Sequence, residues 1–216
     1  MSINNPYLNL NPSHNPSHNL SHNLNLTLIA ALLLFISCSD NLPILDDLSG
    51  KNYKLISQSE FAFNFPGDYK GKIVVAGYIF TNCPDICPLT TNNLRLIQEK
   101  INEAGIKNVE FAAISFDPDV DKPAVLKKYA EIRRMDLSNF TFFTGEKNEI
   151  ESLMKDVGVF AIPGDSVQTS SGNNMIFYIH TDRISLIDSE GRIRKNYLGS
   201  QTDTEEVAAD IKELSN

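Results

Sequence analysis

Charge is missing where this chain begins. Of its 216 residues the first 37 contain no Asp, Glu, Lys or Arg, so all 27 acidic and 19 basic residues lie beyond them. Basic residues are also in deficit overall: the net charge is −8 and the pI is near 5.0. That balance argues against a nucleic-acid partner, because phosphate binding needs a basic face. A long hydrophobic run is missing too. The most apolar stretch, LTLIAALLLFIS (26–37), is about a dozen residues long, where a spanning helix needs about 20. Cysteine and histidine are scarce, at three and four residues, and three of the four histidines fall before residue 23.

These absences organise the N-terminal part. Residues 1–25 are rich in Asn, Pro, Ser and Leu and carry the near-repeat NPSHNPSHNLSHNL. The apolar run that follows fits the core of a signal peptide. Ser37 directly before Cys38 resembles the lipobox of bacterial lipoproteins, in which the cysteine is lipidated and becomes the new N-terminus. Two features depart from that pattern: no basic residue precedes the run, and Phe35 stands where Leu is usual. A single uncleaved anchor is the alternative. The expected organisation is therefore a signal peptide with a low-complexity extension over 1–37, a lipid-anchored tether over 38–60 and one folded domain over 61–216. His14, His18 and His22 share i, i+4, i+8 spacing, but Pro16 lies between them and they sit in the polar repeat. They read as part of that repeat and not as metal ligands.

The remaining chain, in a sequence 42% hydrophobic, suits one globular domain. FAFNF (61–65) alternates like a half-buried strand, and PGDYKGK supplies a turn. IVVAGYIF (73–80) is a continuous apolar, β-branched and aromatic run, the pattern of a strand buried on both faces. Helical spacing follows over 89–105, a strand over 109–116, the loop DPDVDKP, a helix over 124–135, a strand over 140–144 and a helix over 149–158. PGDSVQTSSGNN (163–174) reads as a polar, flexible loop. MIFYIH and RISLID precede the turn DSEG, IRKNYLG follows it, and a last helix covers 203–214. Alternating strands and helices closed by a hairpin and a helix predict a three-layer α/β sandwich with a mixed central sheet.

At the first junction of buried strand and helix stands TNCPDICP (81–88), with Cys83 and Cys87 four positions apart. A cysteine pair in this position is the thioredoxin-like placement. Pro84 fits a first helical position, with Cys83 at or before the helix start and Cys87 one turn in. Residues so spaced share a helix face with Cα atoms about 6 Å apart, close enough for a disulfide or for one shared ion. The positive helix end favours thiolate, which helps both. Removal of the leader, with Cys38 lipidated, leaves two free cysteines and one histidine, His180, in a compartment where disulfides form. Two thiolates and one imidazole suit Cu(I), and accept Cu(II) with a further ligand. A structural zinc site wants a fourth protein ligand, which only Asp or Glu is left to supply. Two other readings stay open: a thiol–disulfide oxidoreductase in which Cys83 attacks and Cys87 resolves, and a plain structural disulfide.

Three segments resemble the Sco/SenC family of copper-delivery and thiol proteins of cytochrome c oxidase assembly. GYIFTNCPDICPLT is close to the family's F-x-Y/F-T-x-C-P-D-x-C-P, and AISFDPDVDKPAVLKKYA resembles its S-x-D-P-x-x-D-T-P segment. HTDRISLIDSEGRI has its histidine eleven residues before Gly191, as in the family's His…D-x-x-G spacing. The resemblance implies a thioredoxin-like fold in which Cys83, Cys87 and His180 bind one copper ion. It further implies a monomeric domain tethered to the membrane in a bacterial cell envelope, on the periplasmic or outer side. Such a domain hands copper to the binuclear centre of oxidase subunit II or another copper acceptor, or keeps that partner's cysteines reduced. Family members often carry Asp immediately before the histidine, where this chain has Ile179, so Asp182 is the alternative source of a carboxylate for the imidazole. Asp85 and Asp117 lie in matching motifs and read as a favourable charge at a helix N-terminus and a helix-entry turn.

Overall fold

The fold is built around β4 (Ile73–Ile79), whose seven residues are all buried. A strand buried on both faces needs a neighbour on each edge. β4 pairs in parallel with β5 (Val109–Ser115) and antiparallel with β9 (Ile184–Ile187). The computed structural model describes residues 42–168 and 174–215, so Cys38, the apolar run and the three early histidines lie outside the described residues. The other strands are β1 (Asp46–Asp47), β2 (Tyr53–Ser57), β3 (Ala62–Phe65), β6 (Phe140–Gly145), β7 (Ala161–Gln168), β8 (Asn174–His180) and β10 (Arg192–Tyr197). The helices are α1 (Ile86–Glu103), α2 (Pro123–Ile132), α3 (Lys147–Asp156) and α4 (Thr204–Leu214). Eight strands form one mixed sheet in the order β1-β10-β9-β4-β5-β6-β2-β3, and β7 and β8 form a separate two-stranded sheet.

Side-chain alternation separates the layers. Phe142 of β6 turns toward α2, its ring 5.9 Å from Tyr129. Its neighbour Phe143 faces the other way, among Phe63 and Tyr69. α1 touches α2 through Thr91 and Tyr129 and α4 through Lys100 and Glu205. Ile150 of α3 instead lies beside Gly145, on the Phe143 side. Helices thus cover both faces of a mixed sheet, the three-layer thioredoxin-like sandwich that the sequence predicts.

Two expectations need correction. The domain begins before Phe61: Leu42, Leu48, Tyr53 and Leu55 are buried, β1 pairs with β10, and β2 joins β6 to β3. The stretch 42–60, expected to be tether, therefore belongs to the folded domain and supplies β1 and β2 of the sheet. Its signal was the period-two alternation of Tyr53, Leu55 and Ser57, all buried on one face. Half of the predicted polar loop at 163–174, residues 163–168, is strand β7, paired antiparallel with β8 from Ala161↔His180 to Gln168↔Asn174, while residues 169–173 lie outside the described residues. A two-stranded ribbon is held by backbone hydrogen bonds, so it needs no apolar periodicity and leaves none to read. The register shifts between Pro163 and Ser166, as expected where proline has no N–H for the ladder.

Gly77 lets α1 approach β4. A Cβ at that position would lie 2.6 Å from Leu94 Cδ1. Gly77→Ala is expected to cost about 1–3 kcal/mol by overpacking, and Leu94→Ala about 2–5 kcal/mol by opening a cavity. The double variant is expected to cost at least about 1 kcal/mol less than the sum, because each change relieves the other. Urea denaturation of the four proteins measures this; strict additivity would contradict the packing described.

Candidate metal centre

The chain leaves β4 at Ile79 and turns sharply, with the Cys83 amide donating to the Phe80 carbonyl at 3.4 Å. α1 then starts at Ile86 with Asp85 as its N-cap residue. The helix therefore begins two residues later than a Pro84 start. The physical reason is the Asp85 backbone, whose ψ of −88° lies outside the helical range. The Asp85 carboxylate caps nothing. Its place is taken by a sulfur: the Cys87 amide, one of the unpaired donors of the first turn, points at Cys83 Sγ at 3.5 Å. Cys83 and Cys87 are both buried and free.

The third side chain arrives from a distant part of the chain. His180 ends β8, and its Nε2 lies 3.7 Å from Cys87 Sγ. Its Nδ1 lies 3.1 Å from the Thr181 carbonyl oxygen. A carbonyl only accepts, so Nδ1 carries a hydrogen, and in the neutral ring the Nε2 lone pair faces the sulfurs. The ring is held between Phe116 and Phe80, at centroid distances of 5.0 and 5.7 Å. Ligand atoms of Cys83, Cys87 and His180 all lie within 4.8 Å of one another. The three residues singled out from the sequence therefore converge.

Asp182 does not orient the imidazole. Its carboxylate accepts from the Thr90 hydroxyl at 2.9 Å and from the Ser200 amide at 2.9 and 3.1 Å. It ties the segment behind His180 to α1, while a backbone carbonyl does the orienting. Asp117 behaves as a loop residue: its amide donates to Ser115 Oγ, and its carbonyl accepts from Val120 and Asp121. Burial and the nearby Asp121 push its carboxyl up. Sequence reasoning passed over Asp121 and Thr90; their one signal was that each falls inside a segment matching a family motif, and neither type nor spacing marks a buried tie.

The two thiols are electrostatically unequal. Hydrogen bonding with the Cys87 side chain holds Cys83 far below the usual thiol range, against burial and with help from His180 and from the Cys87 and Asp85 amides. The same shared hydrogen bond, with burial, pushes Cys87 well above that range. Burial works against a charged His180, but the Cys83 thiolate and the Thr181 carbonyl outweigh it and raise its pKa. The environment thus favours the thiolate at Cys83 and the thiol at Cys87, beside an imidazole made more basic. Two soft sulfur donors and one nitrogen at this separation match a low-coordinate soft cation.

The SCO1/SenC family model matches residues 44–216. The SCO1 protein homolog of Bacillus subtilis is 32% identical over 150 residues, which cover 68% of this chain and 72% of that protein. A SCO1/SenC family lipoprotein from Bacillus anthracis superposes with a TM-score of 0.64 at 31% identity, covering 77% of this chain and 94% of the other. Bradyrhizobium japonicum ScoI, solved with copper bound, superposes with a TM-score of 0.58 at 28% identity, covering 76% and 97%. With that match over most of its length, this chain belongs to the SCO1/SenC family.

Proposed function

We propose that this chain is a membrane-tethered copper chaperone that supports assembly of the binuclear copper centre of cytochrome c oxidase subunit II. The observation that carries the reading is the convergence of Cys83, Cys87 and His180 within 4.8 Å. Copper in a related family member supports the same assignment. Copper is cargo here. Cys83 offers a thiolate already formed, Cys87 gives up its proton as it binds, and His180 supplies the Nε2 lone pair. The site holds one ion as Cu(I), or as Cu(II) with a further ligand. Cys38 is the proposed lipid attachment point, supported by the apolar run before it and by the lipoprotein relative. No helix among the described residues is long and apolar enough to cross a membrane. The proposed location is the bacterial cell envelope, with a monomeric domain facing the periplasm or the outer side and delivering to subunit II or another copper acceptor.

A second reading has its own observation: the inequality of the two thiols suits a thiol–disulfide reductase. The Cys83 thiolate attacks a partner disulfide and releases one partner thiolate. Cys87, once deprotonated, attacks the Cys83 sulfur of the mixed disulfide and releases the second. Two electrons pass to the partner, and a Cys83–Cys87 disulfide is left that cannot bind copper.

Titration of the reduced protein with Cu(I) against a competing chelator is expected to show one saturable equivalent. Cys83→Ser or Cys87→Ser should abolish it and His180→Ala weaken it. No saturable binding by the wild type would sink the chaperone reading, while disulfide reductase turnover surviving in His180→Ala would favour the second. The affinity should also depend on pH. Cys87 holds its proton throughout the neutral range, so each bound ion displaces one proton and affinity rises about tenfold per pH unit. Below the raised His180 pKa a second proton is displaced, and the slope steepens toward about a hundredfold per unit. A pH-independent affinity would show that Cys87 is not a ligand.

Alkylation separates the thiols without copper. Iodoacetamide at pH 6 is expected to label Cys83 and spare Cys87, as read by peptide mass mapping. Equal labelling would contradict the electrostatic inequality described above.

A further inference from the structure

One fully buried carboxylate takes no part in the chemistry described so far. Asp121 has no solvent exposure, and no ion pair among the described residues reaches it. Isolated buried charge is costly, so it persists only where hydrogen bonds hold it. Three do. Its Oδ2 accepts from the Thr81 amide at 2.9 Å and from the Ser115 hydroxyl at 2.6 Å, and its Oδ1 accepts from the Thr81 hydroxyl at 2.5 Å. Two of the three go to one residue, gripped by both its backbone and its side chain.

That residue lies inside the turn that places the first cysteine. The turn is closed by the Cys83 amide on the Phe80 carbonyl, and Thr81 is its second residue. Asp121 is itself held by backbone: its amide and that of Val120 both donate to the Asp117 carbonyl, just before α2. Ser115 ends β5. One carboxylate therefore joins the end of β5, the entry to α2 and the turn between β4 and Cys83. We propose that Asp121 is a positioning residue for copper capture, clamping Thr81 so that the Cys83 sulfur stands where the Cys87 amide and His180 meet it. This rests on the copper-binding reading, and the mechanism is geometric: charge on Asp121 is not required, only its hydrogen bonds to Thr81.

Four variants of the full reduced chain test it, each read by Cu(I) titration against a chelator and by the Cys83–Cys87 disulfide equilibrium with glutathione. The second readout reports sulfur placement without copper, so failure of the wild type to bind copper would remove the chaperone reading and still leave this inference testable. Asp121→Ala is expected to weaken Cu(I) binding about 10–100-fold, the usual effect of losing a residue that orients a ligand. Asp121→Asn can keep all three contacts, its amide group donating to the Thr81 hydroxyl, and should stay within about threefold of wild type. Thr81→Val removes one bond without a cavity and should weaken binding about 3–10-fold. Ser115→Ala leaves both bonds to Thr81, so it should lower the melting temperature yet keep copper affinity. The disulfide equilibrium should move in Asp121→Ala and Thr81→Val alone. Wild-type values of both readouts in these two variants would overturn the proposal. So would an Asp121→Asn defect as large as that of Asp121→Ala, or a Ser115→Ala affinity loss as large as that of Thr81→Val.

Discussion

The hydrogen bond from the Cys87 amide to the Cys83 sulfur is the constraint on which the rest of the site depends. It satisfies a donor that the first turn of α1 would otherwise leave unpaired, and it makes a sulfur the cap of the helix. The cap that suits this geometry is an anion, since the helix terminus carries partial positive charge. That preference adds to the hydrogen bond shared between the two sulfurs, the larger cause, in favouring Cys83 as the thiol that ionises. Once Cys83 is the thiolate, Cys87 is left holding the proton, and the two chemically identical side chains acquire different roles. The packing behind them keeps this arrangement from relaxing. β4 is buried along its whole length, and Gly77 removes the one side chain that would hold Leu94 and α1 away from it.

His180 reaches the pair by another route. It lies 93 positions from Cys87 in sequence, on a ribbon that belongs to a different sheet from β4. What brings it back is a set of short ties around residues 181–183. The Thr181 amide donates to the Phe160 carbonyl, Asp182 grips Thr90 on α1, and Arg183 donates to the Val157 carbonyl. Two ligand atoms are thus fixed by a rigid strand–helix junction, and the third is delivered by an anchored loop. Cooperation between the two units comes through Thr90, which stands on the same helix as Cys87.

Much of this is legible in the amino-acid sequence. β4 announced itself because a strand buried on both faces must be apolar throughout, and the cysteines announced themselves by their place after it. The helices α1, α2 and α3 followed from apolar spacing. What stayed hidden was held by forces that leave no pattern in residue type. β7 is joined to β8 by backbone hydrogen bonds, so a polar sequence could form it. Asp182 and Asp121 are ordinary aspartates in sequence; only burial and partners distinguish a tie from a surface charge. The start of α1 lies beyond Pro84 for a related reason. Pro84 is compatible with a helix start, but the dihedral angles of Asp85 and the pull of Cys83 Sγ on the Cys87 amide move the first turn onward.

The residue before the histidine takes no part in orienting it. An aspartate there would be a ready partner for the imidazole, yet this chain has Ile179, largely exposed at 73%. The orienting acceptor is the Thr181 carbonyl, supplied by the backbone itself, so the tautomer is set without any particular side chain. A neutral carbonyl and a carboxylate differ in consequence, however. A carboxylate on the far nitrogen raises the basicity of the ligating one, and a carbonyl raises it less. The nitrogen donor is then the weakest of the three, beside two sulfurs whose hold on a soft cation is strong. Under the chaperone reading proposed above, a firm pair and a weaker third donor would be well matched. In that reading an incoming acceptor would displace the imidazole first, with Cys83 and Cys87 holding the ion until new bonds replace theirs.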